Sequence, residues 1–374
     1  MTEFLYIHIP FCLRKCLYCD FLSVPYDPSL AGDYLNALCR ELEIEKDNAG
    51  VLRAVYIGGG TPSTLSENQF MKLLGCVQSN YVLSPDAEIT VEANPGSLDK
   101  RKIAALASSG VNRLSLGVQS FHDSELKTLG RIHSADEARR SLARFHEAGI
   151  PNYSIDLIYG IPGQHIDTWA GSLEEAVRFS PLHISAYELT PEQNTPFVRL
   201  LESGRLAMPD DDLILSMYDR AIEYLGSFGY THYEISNYSI AGSECRHNLN
   251  YWDRGEYLGA GAGAHSFLNG TRSRNTGDIQ QYIDNLSRGN IPGRESYRIA
   301  PADSLREYLF LGLRKKQGIS LSKAGIFSED IPALCRDLID EGFLAVSGDT
   351  LRLTSKGFPV SNAVIVKLFG IFGL

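Results

Sequence analysis

No stretch of about eighteen consecutive apolar residues occurs in this sequence, so none of it is expected to span a membrane. Basic residues are also in deficit: 35 Lys and Arg face 45 Asp and Glu, a formal net charge of −10. A protein built to coat nucleic acid needs a basic face, and this balance argues against that class. Low-complexity tracts are absent, and 44% hydrophobic with 21% charged residues is the composition of an ordinary globular chain. The opening Met-Thr-Glu-Phe-Leu-Tyr-Ile-His-Ile-Pro lacks a basic region ahead of an apolar core and is not expected to be an export signal. Cysteine is scarce, with seven in 374 residues. Four (Cys39, Cys76, Cys245 and Cys335) are scattered, which makes no disulfide framework, and three fall within eight residues. Without an export signal, such a group points to metal or cluster ligation in a reducing compartment, and the cytoplasm is the expectation.

Over residues 1–240 short β-rich runs alternate with amphipathic helical stretches. Strands are expected at 4–9, 54–57, 88–93, 113–119, 153–159 and 183–189, and helices at 29–46, 67–77, 135–148 and 168–179. Repeated βα units predict a parallel sheet covered on both faces. Gly58-Gly59-Gly60-Thr61, Glu92-Ala93-Asn94-Pro95, Gln119-Ser120 and Asp156 all fall at or just beyond the C-terminal ends of strands. That is where a β/α barrel builds its site, and six units predict an open, partial (β/α)6 barrel.

Residues 241–300 form a glycine-rich connecting segment, of which 241–277 reads as ordered loop packed on the barrel. Residues 301–374 read as a winged-helix-like α+β domain: helices, then a hairpin of 343–346 and 351–354 about a Ser-Gly-Asp-Thr turn. It carries nine Lys and Arg against eight Asp and Glu, with Asp349 at the hairpin tip, so a docking or lid role is expected rather than DNA binding. The apolar end, 364–374, reads as a core-capping strand or a frayed tail in preference to a membrane contact.

The chemistry-bearing motif is Cys12-x3-Cys16-x2-Cys19, on a loop directly after the first strand. Thiolates suit zinc and iron–sulfur centres alike. A structural zinc needs a fourth protein ligand, for which His8, inside the strand, is the neighbouring candidate. A 4Fe–4S cluster on three cysteines leaves one iron open, which the amino and carboxylate groups of S-adenosylmethionine (SAM) can chelate. The spacing favours that reading. Tyr18, between the second and third cysteines, is either packing under the loop or a stacking surface for the SAM adenine.

The glycine run lets backbone approach a ligand closely, and no Gly-Lys-Ser/Thr follows to make it a phosphate loop. Glu92, Gln119, Arg131 and Asp156 are each compatible with a solvated loop position, and together can supply an acceptor and a cation for SAM. His247-Asn248-Leu249-Asn250-Tyr251-Trp252 has two readings of its own. It is either a surface histidine beside a core aromatic pair, or an axial imidazole with two rings to stack on a porphyrin. His265 is a second imidazole candidate.

Tyr6-Ile-His-Ile-Pro-Phe-Cys12, Cys16-Leu-Tyr-Cys19-Asp-Phe, Gly-Gly-Gly-Thr-Pro-Ser, Arg-Leu-Ser-Leu-Gly-Val-Gln-Ser-Phe and Ile-Asp-Leu-Ile-Tyr-Gly-Ile-Pro-Gly together resemble the oxygen-independent coproporphyrinogen III oxidase family of radical SAM proteins. The resemblance runs from residue 4 to about residue 365. It implies that Tyr6, Gly59 and Glu92 bind the cluster-bound SAM. It further implies that Tyr18, Gly60, Thr61, Gln119, Arg131 and Asp156 match positions contacting a second SAM in the oxidase. Two departures separate the chain from the oxidase itself. The oxidase pattern has a further cysteine two residues after its third, where this chain has Phe21, and an N-terminal extension, where this chain begins eleven residues before Cys12. Both features, with the His-Asn-x-x-Tyr-Trp motif, match the heme chaperone branch of the family. That branch implies heme at His247, Tyr251 and Trp252, an apo-hemoprotein acceptor and an electron donor for the cluster. The alternative function is the oxidase reaction, oxidative decarboxylation of coproporphyrinogen III to protoporphyrinogen IX, which the departures predict to be absent. A regulatory winged-helix sensor has only the tail in its favour.

Overall fold

The computed structural model describes residues 1–325 and 331–374. Its centre is a parallel run of β1 (Thr2–Ile9), β2 (Ala49–Gly59), β3 (Leu83–Ala93), β4 (Arg113–Gln119), β5 (Tyr153–Tyr159) and β6 (His183–Glu188), neighbours in that order. Helices α1 (Pro28–Ile44), α2 (Glu67–Asn80), α3 (Lys100–Ser108), α4 (Ala135–Glu147) and α5 (Ile166–Arg178) lie in the connections. The strands are near-continuous apolar runs because both faces are covered; six of the seven residues of β4 are buried. The helices start where side chains satisfy their first N–H groups. Ser66 with Gln69, and Ser134 with Glu137, form capping boxes, while Asp27 and Asp99 accept from Leu30 N and Lys102 N.

After α6 (Asp211–Ser227) the sheet is extended by β7 (Thr231–Glu234) and β8 (Asn237–Ser239), which run antiparallel beyond β6. The glycine-rich segment departs from the ordered loop that the sequence predicts. It contains helix α7 (Arg246–Trp252) and strand β9 (Leu258–Ala260), which pairs in parallel with β1, Leu5 opposite Leu258 and Ile7 opposite Ala260. The full order is β9-β1-β2-β3-β4-β5-β6-β8-β7, so the barrel is open and seven strands are parallel. The glycines there serve close backbone crossings: a Cβ on Gly259 would sit 1.9 Å from the His265 carbonyl oxygen.

Strands β10 (His265–Leu268), β11 (Thr271–Asn275) and, after helix α8 (Ile279–Ser287), β12 (Arg294–Arg298) make an antiparallel sheet. One buried side chain ties this region to the barrel. Glu41 of α1 accepts from Gly261 N (2.7 Å), Asn275 Nδ2 (2.7 Å), the Tyr282 hydroxyl and Arg294 Nη2 (3.4 Å). A buried carboxylate is costly unless so completely satisfied.

The C-terminal part has helix α9 (Pro301–Gly312) and a small sheet of β13 (Ile319–Ser320), β14 (Leu344–Ser347) and β15 (Thr350–Leu353), ordered β13-β15-β14. The β14–β15 hairpin turns where the sequence predicts, with Gly348 at φ +56°. The apolar end is neither strand nor frayed tail but helix α10 (Ser361–Ile371), with Val364, Ile365 and Leu368 buried on one face. No helix among the described residues is long and apolar enough to cross a membrane.

Candidate functional site: a cofactor cavity and its neighbour

A cavity of about 550 Å³ opens at the C-terminal ends of the parallel strands. Cys12, Cys16 and Cys19 all line it, and so do Tyr18, Gly59, Gly60, Thr61, Glu92, Gln119, Arg131 and Asp156. Residues from Cys12 to Asp156 therefore converge at one end of the sheet, as a β/α fold brings its strand ends together. Tyr6 lies behind the cavity instead of in its wall. Its hydroxyl meets His8 Nδ1 at 3.1 Å, because residues two apart on β1 share a face.

His8 holds the cysteine loop. Its Nε2 lies 3.0 Å from the Leu22 carbonyl oxygen and so carries the proton, leaving Nδ1 to accept from Tyr6. Both ring nitrogens are thus engaged, which removes His8 as a fourth zinc ligand. Among the described residues, no three His, Cys, Asp or Glu side chains converge to hold a single metal ion. The glycine run presses against the same loop. A Cβ on Gly59 (φ +116°) would strike the His8 ring at 2.6 Å, and one on Gly60 would lie 2.8 Å from Phe11 O and 3.1 Å from Cys12 Sγ. Gly60 N donates to Ile9 O (2.9 Å) and Thr61 N to Phe11 O (2.8 Å), so the loop rides on the backbone leading into Cys12.

A polar chain joins two of the cysteines. Cys12 Sγ is 3.4 Å from Thr61 Oγ1, which accepts from Asn94 Nδ2 at 2.9 Å. Asn94 Oδ1 accepts from Arg131 Nη2 at 2.7 Å, and Arg131 Nη1 lies 3.3 Å from Cys16 Sγ. Leu17 N donates to Leu129 O, and Gly130 leaves no room for a Cβ against Leu17. Three thiols on one wall, a glycine cradle beneath Cys12 and an N–H donor at the Cys16 sulfur suit an iron–sulfur cluster, whose sulfurs take hydrogen bonds. Cys12, Cys16 and Cys19 would hold it, supplying an open iron for SAM chemistry.

Two carboxylates face the remaining space. Glu92 accepts from the Tyr56 hydroxyl (2.8 Å) and Gly59 N (3.1 Å), and burial pushes it up to about 7. Asp156 accepts from Ser154 and Ser185 on Oδ1 (2.9 and 2.8 Å) and from Ser115 on Oδ2 (2.8 Å); burial raises it too. Gln119 sits at φ +67° beside a β-bulge between Gly117 and Gln119, a conformation uncommon outside glycine.

From Asp156 a line of hydrogen bonds leaves the cavity. Ser154 Oγ meets His183 Nδ1 at 2.8 Å, His183 Nε2 meets the Tyr233 hydroxyl at 2.8 Å, and that oxygen accepts from Cys245 N at 3.3 Å. Since Ser154 donates to Asp156, the donors run one way: Cys245 N–H, Tyr233 O–H, His183 Nδ1–H, Ser154 O–H. Cys245 is the N-cap residue of α7.

Helix α7 carries the His-Asn-x-x-Tyr-Trp motif, and its members part company. Tyr251 and Trp252 line a second cavity, of about 580 Å³, which shares Tyr187 and Asn248 with the first. His247 lines neither. It is 1% exposed, stacked on Tyr56 (5.2 Å) and Tyr6 (6.1 Å) with Tyr251 edge-on at 4.5 Å. Neither ring nitrogen has a partner, and burial drops its pKa to about 3, so the imidazole is neutral. The sequence reads His247 either as a surface residue or as a heme ligand; here it is buried, and tyrosines of β1 and β2 enclose it. His265 is exposed on β10 and lines neither cavity.

Known proteins resemble this chain over nearly its whole length. The radical SAM superfamily model matches residues 6–176, and the HemN C-terminal domain model matches residues 299–360. The heme chaperone HemW of Bacillus subtilis (strain 168) is 38% identical to this chain over 380 residues, covering 98% of each. This chain belongs to the HemW family. The Escherichia coli (strain K12) HemW is 35% identical over 96% of each chain. The solved structure of coproporphyrinogen III oxidase (HemN) from Escherichia coli, a radical SAM enzyme, superposes with a TM-score of 0.82 over 97% of this chain and 88% of its own. At 22% identity that likeness is one of fold.

Asn94 stands in the Glu-Ala-Asn-Pro run already marked at a strand end, but two further wall residues carry no signal that sequence reasoning used. Tyr56 and Arg113 occupy strand positions that read as core. Arg113 is 2% exposed yet lines the cavity, a buried guanidinium within the fields of Glu88, Glu92 and Asp156 that only the tertiary structure reveals.

Proposed function

We propose that this protein is a heme chaperone that binds heme and passes it to an apo-hemoprotein. A SAM-bound 4Fe–4S cluster occupies the first cavity and takes electrons from an external donor. The observation that carries this reading is the second cavity, walled by Tyr251 and Trp252 and sharing residues with the cofactor cavity. The names of the full-length relatives support it. The position where the oxidase pattern has its extra cysteine holds Phe21, a 62% exposed ring at the rim of the first cavity, which offers no thiol.

The test presents anaerobically reconstituted protein, separately, with heme and with coproporphyrinogen III. Heme is expected to bind with a clear Soret shift, and coproporphyrinogen III to remain unconverted with reduced cluster and excess SAM. Release of protoporphyrinogen IX at an enzymatic rate would overturn the reading. His247→Ala separates the ligand assignment from the function: an unchanged heme spectrum removes only His247 as the axial ligand.

A further inference from the structure

The second cavity has a wall chemistry of its own, and its volume lies within the range of about 300–1,000 Å³ typical of organic ligands. Tyr187, Tyr251, Trp252, Tyr257 and Phe267 make it aromatic. Two cations are gathered on it. Arg254 Nε donates to Glu307 Oε2 at 2.8 Å and Arg272 Nη2 to the same oxygen at 3.1 Å. Their guanidinium carbons lie 4.6 and 5.2 Å from the Phe267 ring centroid. One carboxylate between two guanidinium groups leaves a net positive charge and unused N–H donors in a partly desolvated place, which favours a further carboxylate. Glu234, also on this wall, is 0% exposed, and burial raises it to about 7 with the Asn237 and Trp252 side chains beside it.

We propose that this cavity seats the tetrapyrrole, its flat macrocycle among Tyr251, Trp252 and Phe267 and a propionate on Arg254 and Arg272. The inference rests on the heme-chaperone reading and adds to it a location and a charge requirement. It also separates the macrocycle's seat from His247, which lies behind the wall. Aromatic faces supply the apolar contact area, and the arginine pair supplies the orientation.

The test uses the full chain with reconstituted cluster and three probes: hemin, protoporphyrin IX and protoporphyrin IX dimethyl ester. The wild type is expected to bind both diacids about tenfold or more tightly than the ester, the scale of a charge-assisted contact. Arg254→Gln combined with Arg272→Gln is expected to erase that preference while leaving the ester's affinity unchanged. Leu311→Trp, which fills the cavity from α9, is expected to weaken all three. The SAM-induced change in the EPR spectrum of the reduced cluster reports folding. Should the double variant lose it, Arg254→Gln alone keeps the Arg272–Glu307 pair and carries the same expectation. Undiminished affinities in the arginine and Leu311→Trp variants, with the wild type binding heme, overturn the location and leave the chaperone reading standing. Failure of the wild type to bind any probe overturns both.

Discussion

Arg131 Nη1 lies 3.3 Å from the sulfur of Cys16, while its Nη2 is held by Asn94 Oδ1 and the Gly117 carbonyl at 2.7 and 2.8 Å. A fixed cation with an N–H aimed at a cluster thiolate stabilises negative charge, and reduction adds negative charge. Arg131→Gln is therefore expected to assemble the cluster with a more negative reduction potential. Redox titration followed by EPR checks this. An equal or higher potential would show that Arg131 does not act on the cluster.

The ligand set makes a sharper expectation. Replacing Cys12, Cys16 or Cys19 by Ala should abolish a centre of about four irons and four sulfides per chain, as a three-cysteine cubane implies. Cys39, Cys76, Cys245 and Cys335 should be dispensable for it. Iron and sulfide analysis after anaerobic reconstitution decides, and stoichiometric zinc without iron would refute the cluster.

Gly60 tests the cradle. Its added Cβ would meet Phe11 backbone at 2.8 Å, and backbone cannot swing aside as a side chain can. Gly60→Ala is expected to cost about 1–3 kcal/mol, the range for overpacking, and to lower cluster occupancy. Gly75→Ala, with nothing within 4 Å of its Cβ, should cost nothing measurable. Denaturant melts of the two variants give the comparison.

Glu92 sets a pH dependence. Burial raises it from 4.5 to about 7, so between those values the folded chain keeps a proton that the unfolded chain has released. Its contribution to stability therefore falls as pH rises from about 4.5 toward 7 and is level above. If, as the resemblance implies, ionised Glu92 accepts from SAM, SAM affinity is expected to rise with pH up to about 7 and then flatten. Glu92→Gln should weaken binding about tenfold at pH 8 and reduce that slope. Calorimetric titration at several pH values reads both; the comparison with wild type matters because Asp156 is also raised.

His247 gives the opposite sign. Burial lowers it to about 3, so below about 6.5 the unfolded chain takes up a proton that the folded chain refuses, and stability is lost as pH falls. His247→Phe removes two unpaired nitrogens from an aromatic stack. It is expected to stabilise the protein by about 1–3 kcal/mol, more at pH 5 than at pH 8. Thermal melts at both values test this; destabilisation at both would show that the imidazole has a partner of its own.

The six barrel strands were legible because each is a short apolar run set between amphipathic helical stretches, and the cluster loop because three thiols at that spacing suit few other arrangements. Strand β9 was not. Three residues within Tyr-Leu-Gly-Ala-Gly show no periodicity, and their conformation is set by register against Leu5–Ile7, about 250 positions away. The C-terminal helix misled for a related reason: Val364, Ile365 and Val366 favour strand locally, and burial of Val364, Ile365 and Leu368 on one face decides otherwise. Within the site, residue types could be read but not contacts. Nothing in the spacing says that Arg131 reaches Cys16, or that Tyr56 covers His247, since both depend on which loops and strands become neighbours.

Both cavity carboxylates reach helix α7. Glu92 does so through Tyr56, whose ring stacks on His247, and Asp156 through Ser154, His183 and Tyr233 to Cys245 N. The two cavities therefore share more than a wall: a ligand that draws on either carboxylate also acts on the helix bordering the other space. Binding free energies around such a square must close. If SAM strengthens heme binding by some factor, heme strengthens SAM binding by the same factor, and if it weakens it, the penalty is returned in full. On the heme-chaperone reading, one coupling factor would then govern both how heme is loaded and how SAM is held.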